Sequence, residues 1–112
     1  MNRLTFSELL LDSRFKLIYG EKLEITIIEG YYIGDLLSFV MGKAKKGQLW
    51  LTVQTHPNVV AIANLLELSG VLVVEDVQIP QETIQLAKEN GVTLIQTESN
   101  AVEVIQSLLS LN

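Results

Sequence analysis

The chain has 112 residues, eight Lys and Arg against thirteen Asp and Glu, and no Cys, a length that fits one domain burying a sizeable core without disulfide or metal staples. Lack of cysteine excludes disulfides, thiolate metal centres and a cysteine nucleophile; a net charge of −5 with no basic run longer than Lys45-Lys46 lacks the footprint of phosphate-backbone binding, so nucleic acid is not an expected partner. The apolar stretches are too short to span a bilayer and Met1-Asn2-Arg3-Leu4 leads into no secretory core, so no membrane association is expected and a cytoplasmic location is.

In chain order, Thr5 and Glu8 have the spacing of a capping box opening a short helix through Leu11, which Asp12-Ser13 ends. Two strands are predicted next, Phe15 to Tyr19 and Leu23 to Glu29, the second because Leu23, Ile25 and Ile27 alternate with Glu24, Thr26 and Ile28. Gly30-Tyr31-Tyr32-Ile33-Gly34 reads as a glycine-bracketed loop. Asp35 is placed to cap a helix striped by Leu37, Val40, Met41 and Ala44 and closed by Gly47.

The remainder divides at its glycines into three βα units, Leu49 to Gly70, Val71 to Gly91 and Val92 to Asn112. Their strands, Leu49 to Val53, Val71 to Val74 and Val92 to Ile95, are short apolar runs of the kind buried in parallel sheets. Pro57 and Pro80 stand where a first helical turn begins, and Gly70 and Gly91 where a left-handed C-terminal cap belongs. Asn100 with Glu103 is a second capping-box spacing, opening a helix with Val102, Ile105 and Leu109 on one face. Right-handed crossovers then give a sheet with helices packed on it, and no linker divides a single domain over 1–112.

Three segments resemble the DRTGG domain family: Gly30-Tyr31-Tyr32-Ile33-Gly34-Asp35-Leu36-Leu37-Ser38-Phe39-Val40-Met41, Leu49-Trp50-Leu51-Thr52-Val53-Gln54-Thr55-His56-Pro57-Asn58, and Ala87-Lys88-Glu89-Asn90-Gly91-Val92. They look most like its short free-standing members in anaerobic bacteria, some encoded beside hydrogenases. The resemblance spans nearly the whole chain and implies an α/β fold: a three-layer αβα domain with a mainly parallel sheet of about five strands, similar to the N-terminal, non-catalytic domain of HPr kinase/phosphorylase and to the DRTGG region of phosphotransacetylase. Where the family carries its Asp-Arg pair this chain has His56-Pro57 or its neighbours, and where it carries Gly-Gly this chain has Glu75-Asp76.

Ligands of open parallel sheets bind outside the carboxyl ends of the strands. That edge comprises Gly30 to Asp35, Gln54 to Asn58, Glu75 to Gln78 and Gln96 to Asn100. Three of these four loops hold hydroxyl or amide side chains beside a helix start, and the unpaired backbone N–H groups there favour an anion, so Tyr31, Asp35, Thr55, His56, Asn58, Glu75, Asp76, Thr97 and Ser99 are the candidate ligand-binding residues for a small phosphate-bearing or nucleotide-like ligand. His56 can serve as general acid/base, or it and Thr55 can cap the following helix. Glu75-Asp76 can hold a divalent cation or form a solvated acidic loop. Tyr31-Tyr32 can stack on a planar ligand or pack at a contact, the latter being favoured. No glycine-rich dinucleotide or Walker spacing is present, no metal site is assigned, and no cofactor is named by the residues.

The helix from Asn58 to Leu68 is apolar around nearly its full circumference, with only Asn64 and Glu67 as a polar strip. Either the N-terminal segment covers it or a second copy does, and a homodimer through this helix is the expectation. The functional expectation is a non-catalytic regulatory or ligand-sensing domain. Alternatives are an adaptor for a metabolic or hydrogenase-associated enzyme, or a small enzyme of phosphate or acyl chemistry using His56 with Glu75 or Asp76.

Overall fold

The computed structural model describes residues 4–111. Its elements run α1 (Phe6–Leu9), β1 (Phe15–Tyr19), β2 (Tyr31–Ile33), α2 (Leu37–Lys43), β3 (Leu49–Thr52), α3 (Asn58–Leu65), β4 (Gly70–Val73), α4 (Gln81–Asn90), β5 (Leu94–Thr97) and α5 (Ala101–Ser110). The five strands form one sheet in the order β1-β5-β4-β3-β2. β2, β3, β4 and β5 are parallel, and β1 closes the far edge antiparallel to β5.

Strands β3 and β4 are buried along their whole length, as their continuous apolar runs require. Alternation of side chains divides the core in two. Leu49, Leu51, Leu72 and Ile95 meet Phe6 and Leu9 of α1 and Val104 and Leu108 of α5. Trp50, Val71, Val73 and Leu94 meet Val40 of α2, Val59, Val60 and Ala63 of α3, and Ala87 of α4. The Trp50 indole, fully buried, donates its Nε1 hydrogen to the Gly34 carbonyl at 2.8 Å, so its one polar atom is satisfied.

Both capping boxes form. Thr5 and Glu8 exchange bonds at the start of α1, and Asn100 and Glu103 do so at the start of α5. Gly91 caps α4 in the left-handed region at φ 66°. Several other expectations are corrected. Leu23 to Glu29 is not a strand: the amides of Ile25 and Thr26 both turn back to the Lys22 carbonyl, and Ile25 is exposed. Among the described residues only Ile27 bridges, to Thr5. The sheet edge is taken instead by Tyr31–Ile33 inside the expected glycine-bracketed loop, in register with Leu49, Trp50 and Leu51.

Asp35 does not cap α2. Leu36 occupies the N-cap without a side-chain bond, and α2 ends at Lys43, before Gly47. Helix α1 stops at Leu9 rather than Leu11, and α3 stops at Leu65 rather than Leu68. The left-handed residue after α3 is Glu67, at φ 57°, not Gly70. Gly70 opens β4, where an added Cβ would lie 2.9 Å from the Phe6 ring and 3.0 Å from the Thr93 carbonyl. Its lack of a side chain therefore serves close packing of α1 on the sheet. Observed β5 begins two residues later than expected, at Leu94. No helix among the described residues is long and apolar enough to cross a membrane.

Candidate functional site

The antiparallel direction of β1 determines the chemistry at the carboxyl end of β5. Phe15 pairs with Thr97 and Lys16 with Gln96, so the beginning of β1 stands where the parallel strands end. Phe15 is buried, Lys16 projects to the other face of the sheet by strand alternation, and Arg14, exposed, lies in the turn just before β1. Beside them the chain leaves β4 through Glu75 and Asp76, both left-handed at φ 65° and 58°. The Glu75 amide donates to the Ser99 carbonyl at 2.9 Å and the Asp76 amide to the Thr97 carbonyl at 3.0 Å, extending the β4–β5 pairing into the loops. Glycine is the residue best suited to such left-handed positions.

The result is a half-open cleft of about 620 Å³. It is lined by Ser13, Arg14 and Lys16 from the start of β1 and the turn before it, by Gln96, Thr97, Glu98 and Ser99 from the end of β5 and the loop after it, and by Asp76 from the loop after β4. The Thr97 hydroxyl, buried, accepts from the Ser99 amide at 3.3 Å. Gln96 donates from its side-chain amide to the Val77 carbonyl at 2.6 Å, fixing the β4–α4 loop to β5. Arg14 donates through Nε to Asp12 Oδ1 at 3.0 Å and Oδ2 at 3.1 Å, and through Nη2 to Oδ2. These hydrogen bonds hold the Asp12 carboxyl below the usual carboxylate range and raise the Arg14 guanidinium further. Lys16 is exposed and makes no ion pair among the described residues.

Of the nine candidates, the structure brings Asp76, Thr97 and Ser99 into this one cleft, with Glu75 joined to Ser99 through its backbone. The others lie elsewhere. His56 serves as a cap: its Nδ1 accepts the Asn58 amide hydrogen at 3.0 Å at the start of α3, where Pro57 can offer no side-chain bond. Thr55 accepts at its carbonyl from the Thr83 hydroxyl at 2.6 Å, tying the β3–α3 turn to α4. Asp35 binds the end of β3, its Oδ1 accepting from the Thr52 hydroxyl at 2.8 Å and the Val53 amide at 2.9 Å. Tyr31 begins β2 opposite the first residue of β3, at the amino rather than the carboxyl end, and packs against the α1/α5 core. Among the described residues no group of three or more His, Asp or Glu could hold a metal ion.

Ser13, Arg14 and Lys16 were not among the sequence candidates. Their signal was the Arg-Phe-Lys alternation at the head of a strand, which reaches the carboxyl edge only if that strand runs antiparallel. A second hollow of about 640 Å³ lies at the opposite edge, where Lys22 and Lys46 are outnumbered by Glu21, Glu29 and Glu67.

No family model matches the chain, and no curated protein sequence matches it. Among solved structures, the chain is similar to the CBS and DRTGG domains of the regulatory region of Clostridium perfringens pyrophosphatase, a structure in complex with the activator diadenosine tetraphosphate. The likeness has a TM-score of 0.76 at 16% identity and covers 91% of this chain and 44% of that one. The chain thus spans less than half the length of its structural relative, and what they share is the fold.

Proposed function

We propose that this chain is a regulatory, ligand-sensing domain of the DRTGG type, a single three-layer unit that accepts a small phosphate-bearing or nucleotide-like anion in the cleft at the carboxyl ends of β4 and β5. The observation that carries this reading is the shared lining at the end of β5, where Arg14 and Lys16 stand with Thr97 and Ser99 and with the Asp76 and Glu98 carboxylates, Thr97 being paired with Phe15 on one face of the sheet and Lys16 with Gln96 on the other. A guanidinium fork, an ammonium group and hydroxyl donors are the groups that recognise phosphate oxygens. The fold shared with a regulatory region that binds a nucleotide activator supports the same reading. His56 is left out of it, because Nδ1 is committed to the α3 cap.

The test is a thermal-shift titration with inorganic pyrophosphate and with adenine nucleotides. A ligand of the native state at a hundredfold excess over Kd stabilises by about 2.7 kcal/mol, a rise of the order of 10 °C for a domain of this size. Removing Arg14 and Lys16 together, as R14A/K16A, is expected to abolish the shift while leaving the unliganded Tm near its original value, since both side chains are exposed. A shift that persists in R14A/K16A defeats the assignment of the cleft.

A second copy is the proposed partner. Leu65 is 67% exposed on α3 and Met41 49% exposed on α2, and together with Leu37, Ala61 and Ile62 they line an apolar hollow of about 320 Å³. That observation supports contact through α3. It equally favours the adaptor reading, in which another protein takes the place of the second copy.

A further inference from the structure

Arg14 is the best phosphate ligand in the cleft, yet its fork is already taken. Asp12 receives Nε through both carboxylate oxygens and Nη2 through Oδ2, and its Oδ1 also accepts the Arg14 amide at 3.0 Å. Asp12 does not line the cleft. It lines a separate hollow with Leu4, Glu8, Leu11 and Leu111. The Arg14 side chain stays 54% exposed while that of Asp12 is 23% exposed, which leaves the cation accessible to an incoming anion. Glu103 lends a second negative charge to the same guanidinium. Lys16, across Phe15, is the uncommitted cation.

We infer that Asp12 is an intramolecular competitor for Arg14, its carboxylate engaging from outside the cleft the guanidinium fork that a ligand's phosphate would use, so that ligand binding and release of the Asp12 turn are coupled. This inference rests on the proposed cleft and names its regulation. A tethered carboxylate acts at a high effective concentration, and the ligand must displace it. Linkage is reciprocal: whatever weakens the Asp12–Arg14 pair tightens the ligand, and ligand binding frees the turn between α1 and β1. The site thereby acquires an output, because that turn, which holds Arg14, joins α1, which packs on the sheet through Phe6 and Leu9, to the strand that carries Lys16.

The experiment is a double-mutant cycle read by isothermal titration with inorganic pyrophosphate on the full chain, using wild type, D12N, R14A and D12N/R14A, with K16A as a reference. Asparagine keeps the oxygen that accepts the Arg14 amide and removes the charge, and D12S serves if D12N fails to fold. D12N is expected to bind pyrophosphate about threefold tighter, the scale of an exposed ion pair, and the gain is expected to vanish in the R14A background. Binding by D12N where wild type shows none supports the same conclusion. A gain that persists without Arg14 reports only the loss of a nearby negative charge and overturns the inference, as does an R14A that binds weakly beside a D12N that binds no tighter; in both cases the cleft stands. If R14A and K16A bind as wild type does, or if no variant binds, the cleft itself is refuted and the inference with it.

Discussion

Glu75 and Asp76 each hold a left-handed backbone conformation, φ 65° and 58°, beside the cleft. For residues with a Cβ this region costs roughly 1–2 kcal/mol, against a loss of about 0.5–1 kcal/mol in unfolded-state entropy when glycine is introduced. E75G and D76G are therefore each expected to raise stability by about 0.5 kcal/mol, seen as a higher urea midpoint with an unchanged slope. Their amides would still donate to Ser99 and Thr97. G70A should do the opposite and cost about 1–3 kcal/mol, because its Cβ would press on Phe6 and on the Thr93 carbonyl. A destabilised E75G and D76G would show that the carboxylates contribute more than the backbone strain removes. At this scale the sequence was legible where a residue acts through its own turn, as with His56 at α3. It was not where long-range pairing decides, as with Asp35, whose carboxylate reaches Thr52 rather than capping α2.

At the scale of elements, the start of α5 is fixed by reciprocal bonds: the Glu103 amide to Asn100 Oδ1 at 2.9 Å and the Asn100 amide to Glu103 Oε1 at 2.9 Å. N100A removes one of the two and should cost about 1 kcal/mol, measured by chemical denaturation. Because Ser99 precedes this cap and lines the cleft, N100A should also weaken any anion bound there; an unchanged affinity would separate the cleft from the helix start. Local signals of this kind, the two capping boxes and Gly91, were readable from residue spacing alone. The strand signals were less so, since alternation at Leu23, Ile25 and Ile27 matches a half-buried strand while among the described residues this segment makes a single bridge, Ile27 to Thr5. Tyr31–Ile33, masked by flanking glycines, pairs with β3 because β-prone side chains there meet Leu49 to Leu51 in register. The direction of β1 was likewise beyond reach, and with it the place of Arg14 and Lys16.

For the whole molecule, the sheet consumes the apolar residues of α3 only on one side. Val59, Val60, Ile62 and Ala63 are buried, whereas Ala61 and Leu65 face outward beside Met41 and Leu37. From Asn58 to Leu65 the helix carries no charge, so in the proposed dimer of a chain of net charge −5 this face would bring two copies together without like-charge repulsion, and a two-fold axis would set each Leu65 against the other copy's hollow. Light scattering at micromolar concentration should then give twice the chain mass of 12.5 kDa. L65E, at a position already 67% exposed, should leave the fold intact by circular dichroism and return the mass to that of one chain, since two buried carboxylates facing each other cost more than the contact gains. A wild-type mass of one chain would remove the second copy as occupant of this face, and a dimer that survives L65E would move the contact off α3.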